Sequence, residues 1–157
     1  MTDSLIIIPT FNEKENIEKI IRKVFSLEKL FHILIVDDGS PDGTATIVKK
    51  LQSQFPNQLH IQERAGKLGL GTAYIHGFKW ALQRDYQFIF EMDADFSHNP
   101  DDLIRLYNAN LLDGGELAIG SRYVKGVNIV NWPMSRLLMS FFASKYVKMI
   151  TGMPIHD

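Results

Sequence analysis

Short apolar runs alternate along the chain with longer segments in which apolar residues recur every three to four positions. Runs of the first kind predict strands, and segments of the second kind predict helices. The predicted strands cover residues 5–8, 33–36, 59–62, 88–92 and 117–119. The pattern therefore predicts a chain in which strands and helices alternate.

The first two predicted helices have the clearest apolar stripes. The first is predicted to follow Asn12, a good N-cap residue with Glu15 three positions later. Its buried stripe would consist of Ile17, Ile20, Ile21 and Val24. The stripe of the second helix would consist of Ile47, Val48, Leu51 and Phe55.

The apolar runs are nearly continuous rather than alternating with polar residues. Strands of this kind are covered by helices on both faces, as in an open and mostly parallel α/β sheet. Such sheets bind ligands outside the carboxyl ends of their strands. Polar or glycine-rich motifs follow four of the predicted strands, at residues 9–13, 37–40, 93–95 and 120–123. We therefore expect one functional site where four strand ends converge.

Composition narrows the class of protein. A chain of 157 residues with 45% apolar residues can bury one core, so we expect a single domain over residues 1–157. The net charge of -1 gives no general attraction to nucleic acid, which we do not expect as a partner. The absence of cysteine excludes disulfides and thiolate metal sites. The first apolar run ends at Pro9 and is too short to span a membrane.

Two acidic residues at the end of a predicted strand indicate a metal site. Asp93 and Asp95 are two residues apart, so in extended backbone their carboxylates leave the same side of the chain. Oxygen ligands without cysteine favour Mg²⁺ or Mn²⁺, with substrate phosphates completing the coordination. The alternative is a pair of turn or capping aspartates, but the position at a strand end favours the metal.

The loop at residues 37–44 contains enough turn-forming residues to explain its glycines, but these do not explain two adjacent acids at the end of a buried strand. Asp38 is a candidate to accept hydrogen bonds from a base or ribose, as strand-end acids do in dinucleotide-binding folds. Glu13 is a candidate for the same nucleoside, and Phe11 for a stacking face.

A basic, glycine-rich loop at residues 64–71 precedes a helix predicted over residues 72–83. Backbone N–H groups at the start of that helix, together with Lys67, are candidates to bind a diphosphate. The loop is not a Walker loop, because the Gly-Lys pair is not followed by serine or threonine. Glycines that serve tight packing alone are an equally open explanation.

Cationic residues near the end of the chain are candidates for a second anion site. Arg122 follows the last predicted strand, and Arg136 and Ser140 lie four residues apart in an amphipathic stretch after Pro133. One helix face would then present Arg136 and Ser140 to an oxyanion. The alternative is an ordinary solvated helix face.

Taken in order, the motifs at residues 9–13, 37–44, 69–77, 93–100 and 120–123 closely resemble those of polyprenol-phosphate mannosyltransferases (dolichol-phosphate mannose synthases), which are family 2 glycosyltransferases. The Asp-Asp-Gly-Ser and Asp-x-Asp elements mark family 2 broadly, whereas the block at residues 69–77 is more specific. The resemblance implies a GT-A (Rossmann-like) fold, and a natural protein that continues beyond this chain.

The resemblance also implies roles for individual residues. Asp93 and Asp95 would hold Mg²⁺ or Mn²⁺, although Ser97 stands where some relatives carry a glutamine that reaches the metal. Arg122, Arg136 and Ser140 match positions that bind the phosphate of the acceptor, and Asp95, Arg122 and Arg136 are the expected catalytic residues. The residues expected to bind the nucleotide sugar are Pro9, Phe11, Glu13, Val36, Asp38, Lys67, Asp93 and Ala94.

The implied reaction is the transfer of mannose from GDP-mannose to a polyprenyl or dolichyl phosphate, with inversion at the anomeric carbon. The protein would act as a peripheral enzyme at the cytoplasmic face of a membrane. Three alternatives stay open: another donor such as UDP-glucose, a non-catalytic nucleotide-sugar-binding fragment, and a phospho-receiver domain. A receiver is disfavoured, because its acid pair follows the first strand, whereas here residues 5–8 precede the pair. The oligomeric state is left open.

Residues 132–153 combine apolar and aromatic side chains with flanking cations. As a helix this segment would lie at a membrane interface or line the approach of an isoprenoid tail. Packing of the same stripe on the sheet is the competing interpretation.

Overall fold

The computed structural model describes residues 2–121 and 134–152, and the chain divides into two compact units, Met1–Gly115 and Glu116–Asp157. The first unit alternates strands and helices in the predicted order. Its elements are β1 (Ser4–Thr10), α1 (Ile17–Phe25), β2 (His32–Asp37), α2 (Thr44–Gln52), β3 (Leu59–Glu63), α3 (Leu70–Ala81), β4 (Phe88–Glu91) and α4 (Asp102–Asp113). The second unit contains α5 (Met134–Thr151).

The four strands form a parallel sheet in the order β3-β2-β1-β4. The chain builds outward from β1 to β3 and then returns, so that β4 pairs with the other edge of β1. The direction of winding therefore reverses between β1 and β4. In open α/β sheets, a crevice for ligands lies at such a reversal, outside the carboxyl ends of the strands.

Helices cover both faces of the sheet, as the unbroken apolar runs predict. Ile6 and Ile8 of β1 face a core shared with α1, α2 and α4, while Leu5 and Ile7 face α3. All four side chains are fully buried, which identifies β1 as a central strand. The predicted stripe of α1 is confirmed, since Ile17, Ile20, Ile21 and Val24 are fully buried.

Helix α3 lies unusually close to β1. A Cβ atom added at Gly77 would lie 2.6 Å from Cγ2 of Ile7, well inside van der Waals contact. Ile7 is fully buried and branched at Cβ, so it has little freedom to move aside. Gly77 therefore sets the distance between α3 and the sheet.

The predicted start of the first helix is wrong. Helix α1 begins at Ile17, and Asn12 has a left-handed backbone with φ of 62°. The backbone N–H groups of Asn12, Glu13 and Lys14 donate to side chains of Ser40, Thr44 and Asp42, at 3.0 Å in each case. Because the neighbouring loop takes these three donors, the chain stays irregular for a further turn.

The fifth predicted strand is also wrong. Residues 117–119 have no regular secondary structure, and Leu117 and Ile119 are 77% and 53% exposed. Three apolar residues carry too little periodicity to specify a strand without a partner. Among the residues that the structure describes, no helix is long and apolar enough to cross a membrane.

Candidate functional site

An open cleft of about 270 Å³ lies at the carboxyl edge of the sheet, at the reversal between β1 and β4. It is lined by Pro9, Thr10, Phe11, Glu13, Asp38, Lys67, Gly69, Leu70, Ala73, Asp93, Ala94 and Asp95. The lining comes from the ends of β1, β2 and β4 and the segments that follow them, from the glycine-rich loop, and from the start of α3. Of the four motifs expected to converge at strand ends, those at residues 9–13, 37–40 and 93–95 contribute to this cleft.

Eight of the predicted site residues line this cleft: Pro9, Phe11, Glu13, Asp38, Lys67, Asp93, Ala94 and Asp95. Val36 does not line it, because its side chain is fully buried in the core between the sheet and α3. Arg122 lies outside the described residues, and Arg136 and Ser140 belong to α5 in the second unit. The roles assigned to all of these residues stay predictions.

Asp37 and Asp38 have different partners, which explains the adjacent acids at the end of β2. Asp37 is 1% exposed and accepts hydrogen bonds from the Thr10 hydroxyl at 2.9 Å and the Ser40 hydroxyl at 2.6 Å. The backbone N–H of Ser40 donates to its second oxygen at 2.9 Å. Asp37 therefore fastens the loop after β2 to the end of β1, which is a structural role.

Asp38 faces the cleft and is held by Arg64. The Nε and Nη2 atoms of Arg64 lie 2.6 and 2.5 Å from Oδ1 of Asp38, and both side chains are less than 10% exposed. The Leu68 N–H donates to Oδ2 at 3.2 Å. Arg64 also donates to the Thr72 hydroxyl at 2.8 Å and to the Gly69 carbonyl at 3.3 Å. One guanidinium thus joins Asp38, the glycine-rich loop and the start of α3.

No sequence pattern predicts this role for Arg64. The residue was visible as one cation of a glycine-rich loop, but its partner lies 26 positions away. Only the parallel pairing of β2 with β3 brings the end of one strand beside the end of the other.

The glycine-rich loop ends where α3 begins at Leu70, two residues earlier than predicted. Gly69, with φ of 99°, and Leu70 both line the cleft, so the positive end of the helix dipole is at the site. The ammonium group of Lys67 lies 4.7 Å from the centre of the Phe11 ring. A cation and an aromatic face therefore adjoin at the cleft.

Asp93 and Asp95 differ in exposure and in partners. Asp93 is half-buried, and its Oδ1 accepts a hydrogen bond from the Tyr74 hydroxyl at 3.1 Å. Asp95 is exposed, and its Oδ1 accepts a hydrogen bond from the Ser97 N–H at 2.9 Å. Burial raises the pKa of Asp95, but the hydrogen bonds from Ser97 and the nearby His98 outweigh it, so the pKa lies below its ordinary value. Asp95 is therefore ionised at neutral pH.

Negative charge accumulates around Asp93. Burial, and then the charge of Asp93, raise the pKa of the neighbouring Glu91 above its ordinary value. Burial, together with the carboxylates of Asp93 and Glu91, also raises the pKa of Tyr74. A cation placed beside Asp93 would reduce the repulsion between the carboxylates of Asp93 and Glu91.

The available carboxylates suit a magnesium or manganese ion that a bound ligand helps to coordinate, rather than an ion coordinated by protein groups alone. Nowhere in residues 2–121 and 134–152 do three acidic or histidine side chains cluster as a metal site. Asp93 and Asp95 both line the cleft, where a ligand would supply the remaining oxygens. Mg²⁺ in particular is usually bound by one or two carboxylates together with substrate phosphates.

Comparison with solved structures supports the fold. The crystal structure of S. aureus TarS 1-349 aligns with a TM-score of 0.64 and 24% identity, over 85% of this chain and 39% of TarS. Its complex with UDP-GlcNAc aligns with a TM-score of 0.62. The predicted fold class, an α/β GT-A sheet flanked by helices, is confirmed.

Curated relatives are closer in sequence. The polyprenol monophosphomannose synthase of Mycolicibacterium smegmatis is 47% identical over 98% of this chain and 58% of its own length. The undecaprenyl-phosphate mannosyltransferase of Micrococcus luteus is 41% identical over 98% of this chain and 62% of its own length. The chain thus spans about three fifths of the length of these two relatives. The model of the family "Glycosyl transferase family 2" matches residues 5–156, so the chain belongs to this family and has its GT-A fold.

Proposed function

We propose that the protein transfers mannose from GDP-mannose to a polyprenyl phosphate with inversion at the anomeric carbon. The observation that carries the proposal is the cleft at the β1/β4 reversal, where Asp38, Asp93 and Asp95 lie beside the start of α3. The high identity to relatives named as polyprenol-phosphate mannosyltransferases supports this choice of donor and acceptor.

The two sides of the cleft suit the two parts of a nucleotide sugar. Phe11, Glu13 and Asp38 would hold the nucleoside, by stacking and by hydrogen bonds to the carboxylates. Lys67 and the backbone N–H groups at the start of α3 would bind the diphosphate. A divalent cation held by Asp93 and Asp95 would neutralise charge on the departing diphosphate.

The acceptor needs no dedicated general base, because a phosphate monoester is already an anion at neutral pH. One of its oxygens forms a bond to the anomeric carbon while the bond from that carbon to GDP breaks, and the bonding electrons leave with the diphosphate. Attack from the face opposite GDP inverts the configuration. Arg122, Arg136 and Ser140 would hold the acceptor phosphate, so that two anions can approach each other.

A polyprenyl acceptor implies a membrane surface, and α5 has side chains that suit one. Leu138, Phe142 and Met149 are 48%, 63% and 77% exposed, and Lys145 and Lys148 lie on the same helix. We infer that the protein acts as a peripheral enzyme at the cytoplasmic face, with α5 at the interface.

The donor assignment is tested by calorimetric titration with GDP-mannose and UDP-glucose, each with and without Mn²⁺. We expect GDP-mannose to bind measurably only when Mn²⁺ is present. In Asp95→Ala, we expect the affinity for GDP-mannose no longer to depend on Mn²⁺. If UDP-glucose bound in preference to GDP-mannose, the proposed donor would be UDP-glucose. Binding without any transfer to polyprenyl phosphate would leave a nucleotide-sugar-binding function.

The acceptor assignment is tested with Arg122→Ala and Arg136→Ala. Loss of one ionic contact costs about 1.5–3 kcal/mol, so transfer should fall about ten- to a hundredfold while GDP affinity is kept. An equal loss of GDP affinity would place these arginines on the donor.

The membrane assignment is tested by liposome flotation of the protein and of its Leu138→Glu and Phe142→Glu variants. We expect both variants to float less than the parent. Folded variants that float as well as the parent would remove α5 from the membrane-contacting surface.

A further inference from the structure

Tyr74 of α3 reaches one of the two candidate metal ligands, although nothing in the sequence motifs assigns it a role. Its hydroxyl lies 3.1 Å from Oδ1 of Asp93, across 19 positions of sequence. Its ring packs against the core formed by Leu5, Ile7, Leu34 and Val36 with Ala73 and Ala81. The hydroxyl is thus carried on a side chain whose ring is held by packing.

The position of Tyr74 along the sheet is fixed by its own helix. Gly77 lies three residues further on and brings α3 into close contact with Ile7 of β1. Residues three apart lie on neighbouring parts of one helix face, so this close contact also sets how far Tyr74 reaches. The hydroxyl therefore meets Asp93 as a consequence of helix packing.

A phenol donates this hydrogen bond, because an ionised carboxylate can only accept. The bond restricts rotation of the carboxylate of Asp93, a residue that lines the cleft. Without it, the Asp93 carboxylate would lose this restraint on its rotation. Asp95 has a comparable restraint in the N–H of Ser97, at 2.9 Å.

We propose that Tyr74 is a positioning residue that orients Asp93 toward a divalent cation bound with the nucleoside diphosphate. The inference rests on the proposed function, because it takes Asp93 as a metal ligand. Hydrogen-bond partners of metal ligands fix ligand orientation, and their loss commonly weakens metal affinity about 10- to 100-fold.

The test is the substitution Tyr74→Phe, which removes only the hydroxyl and leaves the ring to pack. The matched control is Tyr86→Phe, because the Tyr86 hydroxyl also has a polar partner, Nδ1 of His32 at 2.7 Å, but that partner does not line the cleft as Asp93 does. GDP binding is measured by calorimetry at a series of Mn²⁺ concentrations, for the parent and both variants. Thermal unfolding of each variant checks that it is folded.

We expect Tyr74→Phe to need at least about tenfold more Mn²⁺ than the parent for half-maximal GDP binding. Its GDP affinity without metal should equal that of the parent, and Tyr86→Phe should behave as the parent. Equal Mn²⁺ dependence in Tyr74→Phe and the parent would overturn the positioning role while the proposed function stands. A parent without Mn²⁺ dependence would overturn the metal assignment and the role of Tyr74 with it.

A double-mutant cycle separates positioning from a merely structural effect. If Tyr74 acts through Asp93, then Tyr74→Phe should cause no further loss of Mn²⁺-dependent GDP binding once Asp93→Ala is present. Additive losses would show that Tyr74 acts independently of Asp93 and would overturn the proposal.

Discussion

The two ends of the sheet each carry an acid held by a cation, but the two pairs differ in what surrounds them. At the carboxyl end, Asp38 and Arg64 are 8% and 7% exposed, and Asp38 faces the cleft. At the amino end, Asp3 and Lys29 are joined at 2.9 Å and are 31% and 19% exposed. The more deeply buried pair is the one beside the cleft.

Partners within the protein account fully for the pair at the amino end. Asp3 accepts hydrogen bonds from the Ser4 hydroxyl at 2.6 Å and the Tyr107 hydroxyl at 3.0 Å, besides the one from Lys29. The Lys29 ammonium also lies 3.7 Å from the centre of the Tyr107 ring. These contacts join β1, α4 and the segment before β2, so the pair stabilises the fold.

At the carboxyl end, contacts that stabilise the fold do not account for all of the acidic residues. Asp37 is used entirely in fastening the loop after β2 to the end of β1, whereas Asp38, Asp93 and Asp95 line an open cleft. Burial, and after it the charge of Asp93, raises the pKa of Glu91, so keeping these carboxylates ionised at the edge of the cleft has an electrostatic cost. Such a cost is expected where the acids serve a ligand.

The largest effect should come from breaking the buried pair at the carboxyl end. Arg64→Met leaves Asp38 as a charge with little access to water, so we expect a loss of about 3 kcal/mol in the free energy of unfolding. The matched variant at the amino end is Lys29→Met, which breaks a more exposed pair and should cost at most about 1 kcal/mol. Urea unfolding of the parent and both variants measures the difference. A larger loss for Lys29→Met would reverse this comparison of the two ends.

The sequence predicted the parts of the fold that depend on local periodicity. Four strands, the parallel sheet and the stripe of α1 follow from apolar spacing alone, since burial on one or both faces leaves a regular pattern. Eight of the residues expected in the site do line the cleft, because carboxyl ends of parallel strands meet at one edge.

The parts that the sequence did not predict depend on contacts between distant segments. The start of α1 is set by Ser40, Asp42 and Thr44, about 30 positions away. The partners of Asp38 and Asp93 are 26 and 19 positions away, and periodicity does not say which side chains will meet. Residues 117–119 lack the pairing that would have made them a strand.

A smaller effect is expected midway between the two ends, where α3 rests on β1. Gly77→Ala would push Cβ into Ile7, and such overpacking costs about 1–3 kcal/mol. The higher helix propensity of alanine offsets up to about 1 kcal/mol of this. We therefore expect a net loss of about 1–2 kcal/mol in urea unfolding.

Gly71→Ala is the control within the same helix, because nothing lies within 4 Å of a Cβ at Gly71. It should be neutral or slightly stabilising. If both variants were equally stable, close packing at Gly77 would not set the distance between α3 and the sheet. A loss of Mn²⁺-dependent GDP binding in Gly77→Ala alone would link this distance to the reach of Tyr74.

The smallest effect is the pH dependence that the amino end contributes. Burial raises the pKa of Asp3, but hydrogen bonds from Ser4, Lys29 and Tyr107 outweigh it and lower the pKa from 3.8 to about 2. A carboxyl whose pKa is lower in the folded state stabilises that state above the unfolded pKa, and this contribution is lost as the pH falls from about 4 to about 2. One pKa unit corresponds to about 1.4 kcal/mol, and solvent screening of this partly exposed side chain reduces the contribution to about 1 kcal/mol. Asp3→Asn should therefore be less stable than the parent at pH 6 by about that amount, and the difference should shrink toward pH 2.

Asp101→Asn is the control, because Asp101 forms a surface pair with Lys23 in which it is 56% exposed. A constant difference between Asp3→Asn and the parent from pH 6 to pH 2 would show that the contacts of Asp3 do not depend on its charge.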